Sequence, residues 1–260
     1  MPELFYPFGS KLKPVVQKDR SPKKVFVLGV YASAVHAGWY GPDSKIRVRA
    51  LAVASEPGIF WRGDEAEAEK IIRKISVPEA CGYLKFNDRF NGPSGRALDE
   101  YFLEPLGYSR EEAWLCDLLP ETRLNEGQLK ALQSEYAPLV ERGLVPKVTI
   151  PPVPSRFMKP GRSAEIVAEL MESRADLLIT LGDVPLREFV SQYEGDWDRL
   201  SVFGKSEREY GRRYELTIDG RIILLLPLVH PRQAGRLGSS SSKWAKLHKD
   251  WTTRARDEGR

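Results

Sequence analysis

The chain is predicted to be an α/β protein, a three-layer α/β/α sandwich around a central, mostly parallel sheet. Three observations carry that expectation. Two apolar runs of strand length end in glycine, Val25-Phe26-Val27-Leu28-Gly29 and Leu177-Leu178-Ile179-Thr180-Leu181-Gly182. A third, residues 222–226 (IILLL), runs into Pro227-Leu228-Val229-His230-Pro231. Strands this apolar suit a parallel sheet covered on both faces. Between them lie stretches with helical spacing of apolar residues, and alternating strands and helices define layered α/β architecture.

At 260 residues, 42% hydrophobic and 29% charged, the chain has the composition of an ordinary globular protein able to bury a core. No apolar run reaches membrane-span length and the first residues lack signal-peptide order, so the expected location is cytoplasmic with no membrane partner. Cys81 and Cys116 are too few for a four-thiolate cluster and read as buried thiols. His36, His230 and His248 lack metal-ligand spacing, so neither metal nor cofactor is expected. A formal charge of +4 permits a polyanionic partner without requiring one.

In chain order, residues 1–22 carry Pro2, Pro7, Pro14 and Pro22 and read as an irregular arm over the surface. One domain is expected over 23–251 and a basic tail over 252–260. The first strand, 25–28, turns at Gly29, where a glycine lets backbone approach a ligand. Ala32-Ser33-Ala34 then leaves room for a substrate, with Tyr31 and His36 as polar tips. Residues 46–54 (IRVRALAVA) alternate as a second strand at a sheet edge, and 65–75 form a short amphipathic helix. The loop 85–95 (KFNDRFNGPSG) feeds a helix over 94–106, with Ser94 either its N-cap or part of a phosphate contact. Residues 113–119 (AWLCDLL) form a buried strand containing Asp117, an acid whose burial needs a reason. A helix over 126–142, a proline-rich connection over 145–160 and a helix over 163–173 follow. The strand 177–181 leads into a helix at 185–190, residues 193–214 form a surface excursion, and a last helix holds Trp244, Leu247, His248 and Trp251 on one side.

Taken in order, Leu28-Gly29, Phe90-Asn91-Gly92-Pro93-Ser94-Gly95, Leu115-Cys116-Asp117, Leu181-Gly182 and His230-Pro231 resemble the uracil-DNA glycosylase superfamily across residues 25–251. The resemblance implies a crevice at the strand ends that takes a base extruded from DNA, since the glycosidic carbon of a stacked nucleotide is out of reach. It implies that Phe90 stacks on that base and that His230 donates to a base oxygen as negative charge develops there. Tyr31 and Ser33 would line the pocket. Ser94, Arg232 and Arg236 would contact DNA, with Leu237 as a wedge. The partner would be single-stranded DNA, or a duplex with one extruded base, and the protein a monomer without iron–sulfur cysteines.

Two departures from the family pattern stand out. Where relatives place a water-positioning residue after the first strand, this chain reads Gly29-Val30-Tyr31-Ala32-Ser33. Asp88 and Asn91 are the candidates to replace it, with Glu56 and Asp64 also near by loop position. Asp117 stands where uracil readers carry Asn. An ionised Asp only accepts hydrogen bonds, which favours an amino-bearing or modified pyrimidine over uracil. The expected activity is therefore monofunctional hydrolysis of the N-glycosidic bond. The alternatives are a non-catalytic nucleic-acid-binding protein that kept the pocket, and a nucleotide or sugar-phosphate enzyme that shares only the sheet.

Overall fold

The computed structural model describes residues 3–206, 208–235 and 241–258. They form two compact units: Met1–Val15, Ala32–Gly92 and Pro120–Ser155 in the first, and Val16–Tyr31, Pro93–Leu119 and Arg156–Arg260 in the second. The stretch 23–251, expected as one domain, contributes segments to both.

The second unit is the predicted α/β architecture. Its sheet has five strands, β1 (Val25–Tyr31), β5 (Ala113–Leu119), β6 (Leu177–Leu181), β7 (Tyr214–Ile218) and β8 (Arg221–Leu228), in spatial order β5-β1-β6-β8-β7. The first four in that order run parallel, and β7 closes the edge antiparallel to β8. β5 and β6 are buried along their whole length, as apolar residues on both faces demand. Helices flank this sheet: α5 (Arg162–Ser173) packs on β5, α6 (Asp183–Glu188) on β1 and β6, and α2 (Pro93–Leu98) on α7 (Pro231–Ala234), which meets α8 (Ser242–Glu258).

Several expectations need correcting. Gly29 does not end its strand: β1 continues to Tyr31 and Gly29 pairs with Asp117 inside the sheet. The turn glycine is Gly182, at φ 87°. Ser94 is not an N-cap, because the helix already begins at Pro93, whose fixed φ and missing N–H suit a first turn. The excursion 193–214 is not all surface, since Leu200, Phe203 and Tyr210 are buried. It leads into β7, joined to β8 by Asp219-Gly220 at φ 48° and 76°, a two-residue hairpin loop of the Asp-Gly kind. The stretch 252–260 is not a free tail: α8 runs to Glu258 and buries Thr252 and Ala255.

The first unit was not foreseen as a separate body. It holds a three-stranded antiparallel sheet, β3-β2-β4, made of β2 (Ala34–Tyr40), β3 (Ile46–Ser55) and β4 (Tyr83–Phe86). The strand foreseen at 46–54 is thus part of this second sheet. With it fold α1 (Glu65–Ile72), capped by the Asp64 carboxylate, and the helical run from α3 (Glu126–Ala131) to α4 (Ala137–Glu141). The proline-bearing N-terminal stretch is irregular, as expected, but it does not merely cover the surface. Tyr6 is fully buried, and the Phe8 ring packs edge-on against Trp39 (5.6 Å) and Tyr136 (5.2 Å). A hydroxyl chain ties the pieces: Tyr6 donates to Thr122 Oγ1 (2.7 Å), which donates to the Ser33 carbonyl (2.6 Å).

Candidate active site

In chain order the four parallel strands lie second, first, third, fourth, so the chain leaves β1 to one side for β5 and to the other for β6. Ligands of open α/β sheets bind outside the carboxyl ends of strands where the order reverses. At those ends in the second unit stand Tyr31, the last residue of β1; Asp117, near the end of β5; Gly182 and Asp183 after β6; and His230 after β8. The order of the parallel strands therefore brings three sequence-predicted residues, Tyr31, Asp117 and His230, to one end of one sheet.

His230 is held as a neutral donor. It caps α7, its Nδ1 accepting the Arg232 N–H at 3.1 Å. A ring nitrogen that accepts carries no proton, so the proton of the neutral ring resides on Nε2. Burial, reinforced by the Arg232 charge, lowers its pKa to about 4, while part of the residue stays accessible. Gly182 lies against it: a Cβ there would stand 3.4 Å from His230 Cβ.

Asp117 is 4% exposed. Its backbone carbonyl accepts from Arg162 Nη2 at 2.8 Å, but no hydrogen bond reaches its carboxyl among the described residues. Arg162 Nη1 is taken by Glu165 and Glu169, each at 3.0 Å. Burial therefore outweighs the attraction of Arg162 and raises the Asp117 pKa to about 7. Tyr31 is pushed upward by burial and feels both Arg232 and Asp117, and its ring stacks on Phe157 at 5.6 Å and 13°. Ser94 is the second residue of α2, and Arg232 is an exposed residue of α7. Arg236 and Leu237 lie outside the described residues.

The remaining candidates belong to the first unit. Asp88 and Phe90 form a short, exposed 3-10 turn, with Phe90 38% exposed. Ser33 is exposed, and His36 lies in β2 with its Nδ1 buried and without a hydrogen-bond partner among the described residues. Asp64 accepts from Glu67 N as a helix cap, and Glu56 is buried. Asn91 is fully buried: its Oδ1 accepts the His36 N–H (2.9 Å), and its Nδ2 donates to the carbonyls of His36 and Asn87 (2.8 Å each). That amide clamps β2 to the turn. The neighbouring Gly92, at φ 71°, lets two backbones meet, since a Cβ there would lie 1.9 Å from the Arg62 carbonyl carbon. Asn91→Ala is expected to cost about 2–4 kcal/mol, because it orphans three buried backbone groups. Urea denaturation of wild type and variant measures this.

Sequence reasoning missed the network that holds the His230 turn. The Val229 N–H donates to Tyr210 Oη (2.9 Å), whose hydroxyl sits 2.8 Å from His248 Nδ1, while His248 Nε2 sits 2.9 Å from the Tyr101 carbonyl. A carbonyl only accepts, so Nε2 donates to it and Tyr210 donates to Nδ1. His248, expected only as part of an apolar helix face, thus joins α8 to the residue before His230. Tyr210→Phe leaves the Val229 N–H and His248 Nδ1 unpaired, an expected loss of about 1–3 kcal/mol, readable by thermal unfolding.

No helix among the described residues is long and apolar enough to cross a membrane. Cys81 and Cys116 are free and buried. No protein-family model matches this chain, and no curated protein is significantly similar to it.

Proposed function

We propose that the chain is a DNA glycosylase of the uracil-DNA glycosylase type, hydrolysing the N-glycosidic bond of an extruded pyrimidine. The observation that carries the reading is His230: a neutral imidazole at the carboxyl end of a parallel strand, its Nδ1 occupied by the Arg232 N–H. When the bond from C1′ to the base breaks, the electron pair goes to the base and charge accumulates on its O2. A fixed Nε2–H donor stabilises that charge without first gaining a proton. Water then adds at C1′, leaving an abasic site and releasing a proton. Asp117, whose carboxyl takes no hydrogen bond among the described residues, reads the opposite edge of the base, and Tyr31 walls the pocket.

Asp88 and Asn91, the candidates to position water, belong to the first unit, where the Asp88 side chain is exposed and the carboxamide of Asn91 is committed to backbone. That commitment, together with the missing acid after β1, also favours the second reading, a nucleic-acid-binding protein that holds an extruded base without cutting. Oligonucleotides carrying uracil, cytosine or 5-substituted cytosine, single-stranded and duplex, separate the two. Hydrolysis yields alkali-labile sites in at least one of them, slowed in His230→Asn; retention of DNA with no alkali-labile product supports the second reading.

A further inference from the structure

The second unit also contains a cavity of about 710 Å³ that the strand-end residues do not line. Four guanidinium groups border it, Arg208, Arg212, Arg213 and Arg254. Leu226, which shares the cavity wall, precedes His230 by four residues along β8, roughly 13 Å of strand. The two sites are separate places on the same unit.

Among the described residues, none of the four guanidinium groups forms an ion pair with a carboxylate. Among the described residues Glu209 neighbours Arg208 in sequence; its carboxylate feels the Arg212 charge but accepts its hydrogen bonds from Ser206 Oγ (2.8 Å) and Lys205 N (3.2 Å). Two of the arginines are oriented by backbone: Arg212 Nε donates to the Arg208 carbonyl (2.8 Å), and Arg254 Nη2 donates to the Tyr210 carbonyl (3.2 Å). Arg254 Nε is buried with no hydrogen-bond partner among the described residues. Four like charges around one hollow repel one another, and a buried N–H without an acceptor is costly. A bound multivalent anion relieves both penalties.

We propose that this cavity is a binding site for a compact ligand bearing two or more closely spaced phosphate groups. Guanidinium forks match phosphate oxygens in pairs, and one carboxylate would leave most of the positive charge unmatched. The same phosphate chemistry comes from a free oligophosphate or from a nucleic-acid backbone. The volume lies in the range of small-ligand sites, and the wall includes the apolar Leu106, Leu226 and Trp251, so the free oligophosphate is the source assigned.

Isothermal titration of the full chain with inorganic tripolyphosphate tests this. Saturable one-to-one binding is expected, weakened at least ~10-fold in Arg212→Gln and in the double variant Arg208→Gln/Arg213→Gln. Those arginines are exposed, so the folded state survives, which circular dichroism verifies. Arg73→Gln, an exposed control in the first unit, and His230→Asn should leave binding unchanged. No binding to wild type, or equal weakening in Arg73→Gln, overturns the site. Displacement of tripolyphosphate by a twelve-nucleotide single strand at equal or lower phosphate concentration overturns the free-ligand assignment. The outcome is independent of glycosylase activity, which is read in His230→Asn.

Discussion

His230→Asn is expected to lower the rate of base release by about 10²–10³-fold in single-turnover assays while the protein stays folded. The substitution separates two duties of one ring. Nδ1 caps α7 by accepting the Arg232 N–H, and Asn is among the best N-cap residues, so the cap survives. What is lost is the Nε2–H, placed by a rigid ring where the shorter carboxamide does not reach. His230→Ala removes both functions and should add a stability loss of about 1 kcal/mol. The pH profile discriminates further. A ring with its pKa lowered to about 4 is neutral throughout pH 5–8, so its contribution does not decline as pH rises across that range. A donor acting as imidazolium would fade above its pKa. Equal rates for wild type and His230→Asn would remove His230 from the chemistry.

The parts of this molecule legible in its sequence are those whose signal is local. The strands at 113–119 and 177–181 are uninterrupted apolar runs between clear breakers, and their bounds agree with β5 and β6. Asp117 and His230 are legible because a polar group in, or just after, an apolar run is conspicuous: a buried one needs a partner or a task. β7 carries a local signal that the sequence reading did not use: buried Leu216 and Ile218 alternate with exposed Glu215 and Thr217, and Asp219-Gly220 follows. Its charged surroundings hid that alternation. β2 was harder, since Ala34, Ala37 and Gly38 have weak strand preference, and only pairing with β3 and β4 makes it a strand. The duties of Asn91, Tyr210 and His248 rest on partners 55, 19 and 147 residues away, which no local pattern encodes.

Asp117 sets the second large effect, because its ionisation opposes that of the histidines. Its pKa is raised to about 7 by burial, against an unfolded value near 3.9. Between those values the folded state binds the extra proton, so stability is greatest at the acid end and falls as pH rises to about 7. The penalty is on the order of 4 kcal/mol. For His36, His230 and His248, each lowered to about 4 by burial, the unfolded state binds the extra proton, so stability rises with pH from about 4 to about 6.5. Between about pH 4 and 6.5 the three histidine slopes outweigh the single opposing slope of Asp117, so wild-type stability should rise over that range and fall slightly from there to about pH 7. Asp117→Asn removes the opposing slope: at about pH 3.5 it should match wild type, whose Asp117 is then protonated in both the folded and the unfolded state. At pH 8.5 its melting temperature should be higher by roughly 10 °C. Under the proposed function, the same ionisation would govern what Asp117 reads, independently of whether the bond is cut. Protonated, it both donates and accepts, as Asn does, and tolerates the O4 of uracil; ionised, it only accepts and favours the exocyclic amino group of cytosine-like bases. Affinity for DNA with an unpaired cytosine relative to uracil should rise as pH passes 7 in wild type and stay level in Asp117→Asn. A melting curve of Asp117→Asn parallel to wild type from pH 5 to 8.5 would mean that this carboxyl is ionised throughout, and the pH-dependent base preference would fall with it.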